Sequence, residues 1–322
     1  MKQYLDVVRH VLEHGSWTKN RTKYDTISVP GLHMRFDLQE GFPAVTTKKL
    51  AFKSATAEIL GYMRGYRSAA DFRALGTKTW DANANENQDW LNNPYRLGTD
   101  DIGSAYGVQF RTWPAYKVID PKGTNGLEQI EDAKRRGYEV VGMIDAGVVL
   151  HKVIDQVREC LDKIMFNPSD RRIIFHSWNV AQLEEMALPS CPTFFQFHVN
   201  SARKELSLNL TIRSADLGLG TPFNCASAAV LVHLVARLTG LTPRFLSVFL
   251  GDAHIYANAV DMLQEQLKRE PLPLPRLVIA ETIPEYAKTG KYEPEWIAKA
   301  QVSDFSLDGY QHHPNLTTDM AI

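Results

Sequence analysis

Residues 193–239 constrain the fold more than any other stretch of the chain. Leu206, Leu208, Leu210 and Ile212 alternate with Ser207, Asn209, Thr211 and Arg213. That period of two belongs to a strand with one face in a core and the other toward water or a polar site. The polar turn NSARK joins this run to an earlier one at 193–199, which predicts a hairpin. An apolar run over 225–239, ended by Gly240, predicts a buried helix. Further strands are expected at 244–250 and 275–280.

Elsewhere the pattern is helical or irregular. Leu5, Val8, Val11 and Leu12 recur at helical spacing before Gly15, and 51–64 reads as a second helix carrying Glu58 among apolar residues. Residues 81–103, rich in Asn, Asp and Gly, read as a long loop. Residues 115–150, with Pro121, Gly123, Gly126 and the charged stretch EDAKRRGYEV, read as an insertion, and a helix is expected over 151–165. The 322 residues contain no internal repeat and no linker-like stretch. The reading is therefore one α+β domain spanning 1–322, a mixed β-sheet flanked by helices, interrupted by the insertion.

Composition removes several classes of function. Lys+Arg 36 against Asp+Glu 37 gives a net charge of −1, so a general basic footprint for nucleic acid is absent and nucleic-acid binding is not expected. Cys160, Cys191 and Cys225 are odd in number and widely spaced, which suits a reducing compartment and no disulfide framework. No Cys-x-x-Cys pair or His-rich tract offers ligands, so no metal site is expected. The charged N-terminus MKQYLDVVRHVLEHG lacks the apolar stretch of a signal peptide, and no run of about 18 apolar residues is present. A cytoplasmic protein without membrane attachment is expected.

Two clusters stand out as chemistry. Cys191, in MALPSCPTFFQF, lies between Pro189 and Pro192 just before a strand. A lone cysteine is usually a small hydrophobe, but this stiff turn would hold a thiol at a strand edge. A nucleophilic role would need positive charge nearby, which Arg213 on the next strand would supply. Arg171 and Arg172 in NPSDRRIIFHSWN, Arg213-Ser214, and Arg21 in KNRTKYDT offer four guanidinium groups and a hydroxyl. Adjacent arginines usually form a solvated pair; here they would alternatively clamp a phosphate. The combination suits a phosphorylated substrate attacked by sulfur.

The segment RSADLGLGTPFNCAS, with MALPSCPTFFQF, SDRRIIFHSWN, GDAHIYAN, GFPAVTTKK and the terminal MAI, resembles the thymidylate synthase family from end to end, except near 84–102 and 115–150. The resemblance implies a pyrimidine deoxynucleotide 5′-monophosphate as substrate and 5,10-methylenetetrahydrofolate as one-carbon donor. By motif, Cys191 would add to C6 of the ring and Asn224 would read the base. Glu58 would act through ordered water, and Tyr106 would help remove the C5 proton. Arg21, Arg171, Arg172, Arg213 and Ser214 would hold the phosphate, and His254 and Tyr256 the sugar. Asp216, Trp80, Gly220, Phe223 and Ile322 would contact the folate. The resemblance also implies a homodimer built through the sheet, in which Arg171 and Arg172 act across the interface. The MAI tail would close over bound folate.

Several characteristic positions differ. Asn83 stands in place of a second tryptophan, Pro192 in place of a histidine, and Thr211-Ile212 in place of Tyr-Gln. Gly218, Ala228 and Ala51 replace a phenylalanine, a tyrosine and a basic or polar residue. Losing aromatics near the folate would admit water to the shared exocyclic-methylene intermediate, as in the virus-encoded hydroxymethylases of the same family. The expectation is a dUMP 5-hydroxymethylase, and with it a virus-encoded protein. The alternatives are thymidylate synthase, which methylates dUMP and releases dihydrofolate, and a dCMP methylase or hydroxymethylase. A catalytically dead homologue would be expected to lose Cys191, Glu58 or Asn224, and all three are present. A cysteine hydrolase would need a histidine placed to activate Cys191, and none is evident in the sequence.

Overall fold

The structure, a computed structural model, describes residues 1–20 and 22–319. Eleven strands are found among them: β1 (Ser16–Thr18), β2 (Thr26–Asp37), β3 (Trp113–Ile119), β4 (Glu139–Ile144), β5 (Gly147–Ile154), β6 (Ile174–His176), β7 (Pro192–Asn200), β8 (Glu205–Asp216), β9 (Thr242–Tyr256), β10 (Arg276–Ile279) and β11 (Phe305–Asp308). Six of them form the main sheet in the order β1-β2-β9-β8-β7-β6. Its pairs are antiparallel except β8 with β9, which run parallel, so the sheet is mixed. A parallel pair needs a crossover, and here it is the helix Gly220–Thr239. That helix is long and apolar enough to cross a membrane by composition, but most of it is buried against the sheet and neighbouring helices.

The expected α+β class and hairpin are found; β7, β8, β9 and the central helix run longer than the sequence pattern marks, whereas β10 and the helix Phe52–Met63 are shorter. Leu206, Leu208, Leu210 and Ile212 are all buried in the core. The central helix begins five residues before 225, because Thr221 and Pro222 bury like the apolar residues after them. Residues 81–103 carry two short helices, Asp81–Asn85 and Gln88–Leu91. The helix expected over 151–165 begins later, at Gln156, where Asp155 caps it by accepting from the Arg158 N–H. Residues 151–154 instead finish β5.

The segment expected to be an insertion carries a separate three-stranded sheet, β3-β5-β4, with the helix Gly126–Arg135 on it. Ile130, Ala133, Val148 and Leu150 make its own small core. Its root is narrow, because Trp113 pairs with Ile154.

The main sheet is covered on one face only. On the other, Phe194, Thr211, Phe249 and His33 lie in register across β7, β8, β9 and β2. His33 packs on Phe249 at 4.6 Å, yet Phe249 remains 45% exposed.

Candidate active site

Glu58 lies on the helix Phe52–Met63, every residue of which from Ala55 to Met63 is buried. Burial pushes its carboxyl up to about 7, against the hydroxyls of Thr79 and Tyr62, which favour the ionised form. Tyr62, one turn along the same helix, lies flat on Tyr106 with ring centroids 4.6 Å apart and planes 5° from parallel. Trp80 meets both rings edge-on, at 6.4 Å and 5.5 Å. Its indole N–H faces the Tyr62 hydroxyl but falls short of hydrogen-bond geometry.

Tyr106 links this aromatic wall to the thiol. Its hydroxyl accepts from the Cys191 backbone N–H at 2.7 Å. Its backbone has φ 38°, ψ −97°, a conformation rare for a residue with a side chain and held here by the surrounding packing. Cys191 is half-buried, just before β7. The next strand closes the turn: the Arg213 N–H donates to the Cys191 carbonyl at 2.9 Å. Arg213 Nε and Nη2 donate to the carbonyls of Ser190 and Pro189. Its guanidinium also stands 5.3 Å from the Trp178 ring centroid. Arg213 is therefore bonded to the turn that carries the thiol.

The parallel pairing of β8 with β9 assembles the remaining groups. Ser214 lies opposite Asp252, and Asp216 opposite His254. His254 is buried and meets Tyr256 edge-on at 5.1 Å. The central helix then brings Gly220, Phe223 and Asn224 to the same end of the sheet. Among the described residues the Asn224 carboxamide has no hydrogen-bond partner. Asp216 accepts from the backbone N–H groups of Gly218, Leu219 and Gly220. A carboxylate has about four acceptor sites, so one remains for a ligand. A methyl group at Gly220 would stand 3.7 Å from Asp216 Cβ and 3.9 Å from Asn224 Nδ2, so the glycine keeps the space between these two side chains open. Residues present thus fit a flat heterocycle placed beside the nucleotide.

Arg171 and Arg172 do not reach Cys191 within one chain. Gln196 Nε2 donates to the Arg171 carbonyl, and the β6–β7 register places the two arginines toward the far end of β7. At about 3.3 Å per residue, that end lies roughly 20 Å or more from the thiol. Arg172 pairs with Asp170, whereas Arg171 has no carboxylate partner among the described residues. Arg21 and Ile322 lie outside the described residues.

The sequence reading missed three groups. Tyr62 gave one signal, its place four residues after Glu58 on one helix face. Lys48 is buried, its ammonium donating to the Gly218 carbonyl; burial lowers its pKa to about 8, against the pull of Asp216. Asn258 holds the end of the described chain, donating to the Asp319 carbonyl and accepting from Thr318. Lys48 and Asn258 lie within the motifs GFPAVTTKK and GDAHIYAN, but the sequence reading assigned a role to neither.

Residues 2–322 match the family described as Thymidylate synthase. The chain belongs to the thymidylate synthase family. Proteins named thymidylate synthase from Pseudomonas syringae pv. tomato and Bordetella parapertussis are 56% and 57% identical to it over 326 aligned positions, covering all of both chains. One from Pseudomonas putida is 55% identical over the same extent. The chain is thus a methyltransferase of the thymidylate synthase family, with 5,10-methylenetetrahydrofolate as one-carbon donor.

These findings do not support the hydroxymethylase expectation, and the packing gives a reason. The aromatic lost at Asn83 does not leave Glu58 unscreened, because Tyr62, Trp80 and Tyr106 close on one another. Ala228 is buried in the core, and the space beside Gly218 is taken by Ala259 and Met262. The similar proteins are bacterial, which gives the virus-encoded expectation no support either.

Proposed function

We propose that the chain methylates C5 of dUMP to give dTMP, with release of dihydrofolate. The observation that carries this reading is the bonding of Tyr106 and Arg213 to the Cys191 turn in a chain similar over its whole length to proteins named thymidylate synthase. When bound, 5,10-methylenetetrahydrofolate supplies the one-carbon unit and the hydride that completes the methyl group.

On this reading the protein side of the reaction runs through the residues that match the family's motifs. The Cys191 thiolate adds to C6, which makes C5 nucleophilic and places negative charge on O4. The Asn224 amide donates to that oxygen and accepts from N3–H, a pattern that selects uracil. Tyr106, beside the thiol, takes part in removing the C5 proton, and Glu58 relays protons through water near O4. Arg213 and Ser214 hold the phosphate with Arg21, and His254 and Tyr256 hold the 3′-hydroxyl. Trp80, Asp216, Gly220, Phe223 and Ile322 hold the folate.

The homodimer is part of the same proposal. Its support is the open sheet face with Phe194, Thr211, Phe249 and His33, and the distance of Arg171 and Arg172 from their own thiol. Pairing two such faces covers the apolar row and carries each arginine pair toward the partner's phosphate site.

The test is mass spectrometry of the product from dUMP, and separately from dCMP, with the folate product followed by absorbance in the same tubes. A methylated product from dUMP together with dihydrofolate is expected. A product heavier by one further oxygen with tetrahydrofolate, or turnover of dCMP in place of dUMP, would overturn the reading.

A further inference from the structure

Tyr62 belongs to none of the groups assigned a role above, yet it touches two of them. It stands four residues after Glu58, so both side chains leave the helix Phe52–Met63 on one face. Its ring covers the face of Tyr106 at 4.6 Å, and Tyr106 accepts from the Cys191 N–H. Phe72 and Phe110 meet the Tyr62 ring edge-on at 5.7 Å and 6.3 Å, so the ring has no room to turn. A phenylalanine would supply the same stack. The hydroxyl, buried on the helix face that carries Glu58, is what packing alone does not require.

We propose that Tyr62 is a positioning residue that ties the carboxyl of Glu58 to the Tyr106–Cys191 pair, its ring fixing the plane of Tyr106 and its hydroxyl orienting the carboxyl. The inference rests on the methyltransferase reading of this site. The groups that face Glu58 are Tyr62 on its own helix, Thr79 from the loop before Trp80, and the Tyr106 phenol from the opposite side. Of these, the hydroxyls of Tyr62 and Thr79 favour the ionised carboxyl and oppose the upward push of burial. Removing the Tyr62 hydroxyl therefore moves the Glu58 titration upward. Removing the ring frees Tyr106, and with it the turn that presents the thiol.

Two variants separate these effects. Tyr62→Phe keeps the stack; its expected result is a kcat roughly tenfold lower at neutral pH, an unchanged KM for dUMP, and a pH–kcat limb moved to higher pH. Its Cys191 should react with iodoacetamide at the wild-type rate, because the stack survives. Tyr62→Leu, checked for folding by its thermal melt, should change that alkylation rate several-fold. A Tyr62→Phe pH profile superimposable on the wild type's, or equal alkylation rates in all three proteins, would overturn the proposal. Cys191→Ala and the wild type run alongside: absence of folate-dependent turnover in the wild type would defeat the methyltransferase reading itself.

Discussion

Arg213 is bonded to the Cys191 turn through both its main chain and its side chain. Its N–H donates to the Cys191 carbonyl at 2.9 Å, while the guanidinium donates to Ser190 at 2.9 Å and Pro189 at 2.8 Å. One residue therefore shapes the turn that presents the thiol and supplies a cation beside it. Arg213→Lys keeps the charge and loses the fork. The expected outcome is a KM for dUMP raised at least tenfold and an unfolding free energy lower by ~1–3 kcal/mol, read by urea denaturation. Kinetics and stability unchanged within error would show that the fork serves neither purpose.

Glu58 makes stability depend on pH in a direction opposite to most carboxylates. Its folded pKa, about 7, lies above the ordinary value of 4.5, so the native state holds the proton more tightly than the unfolded chain. The favourable contribution is complete below the unfolded value and is lost as pH rises through the folded one. Glu58→Gln removes the ionisation. Relative to wild type, the variant should gain ~2 kcal/mol between about pH 5.5 and pH 8.5, measured by denaturant midpoints. A constant difference across that range would mean that the carboxyl titrates normally.

If each site borrows Arg171 and Arg172 from the other protomer, two inactive variants should repair one another. Cys191→Ala and the double variant Arg171→Ala/Arg172→Ala are each expected to lose most activity. Mixing and refolding equal amounts makes half of the dimers heterodimers, each with one complete site, so about a quarter of wild-type activity should return. Failure to recover any activity from stable mixed dimers would place the arginines in their own protomer's site or outside it. Phe249→Glu should give monomers by sedimentation, since that residue lies in the open row and is 45% exposed.

The segment 113–154 has its own core of Ile130, Ala133, Val148 and Leu150, and its first and last strands meet at Trp113 and Ile154. Replacing 115–152 with a short turn should leave the remaining chain folded, with a melting temperature within a few degrees of the original and dUMP turnover retained. Loss of folding would show that the main core depends on the insertion.

What could be seen in the sequence was what repeats or what is written in one run. Leu206 to Ile212 revealed their strand because alternation is a local property, and Cys191 stood out through its flanking prolines. Longer boundaries were lost where tertiary burial extends an element beyond its apolar run, as at Thr221 and Pro222. Lys48, Tyr62 and Asn258 were hidden for another reason: each acts on a partner fixed only when distant segments pack. The hydroxymethylase expectation, which the comparisons do not support, had a similar origin. It counted the aromatics missing at 83, 218 and 228 one position at a time, whereas the wall is closed by Tyr62 from the helix carrying Glu58.

The parallel register of β8 and β9 sets Ser214 beside Asp252 and Asp216 beside His254. Groups proposed for phosphate, sugar and pterin are thereby spaced by the backbone's own repeat, and the sheet serves as a ruler for the ligand. Loops elsewhere can lengthen or shrink without altering that scale. Within these two strands, deleting a single residue would displace everything beyond it by about 3.3 Å and send each following side chain to the opposite face. Tolerance of change in this protein is therefore set by distance along the strand as much as by distance from the thiol.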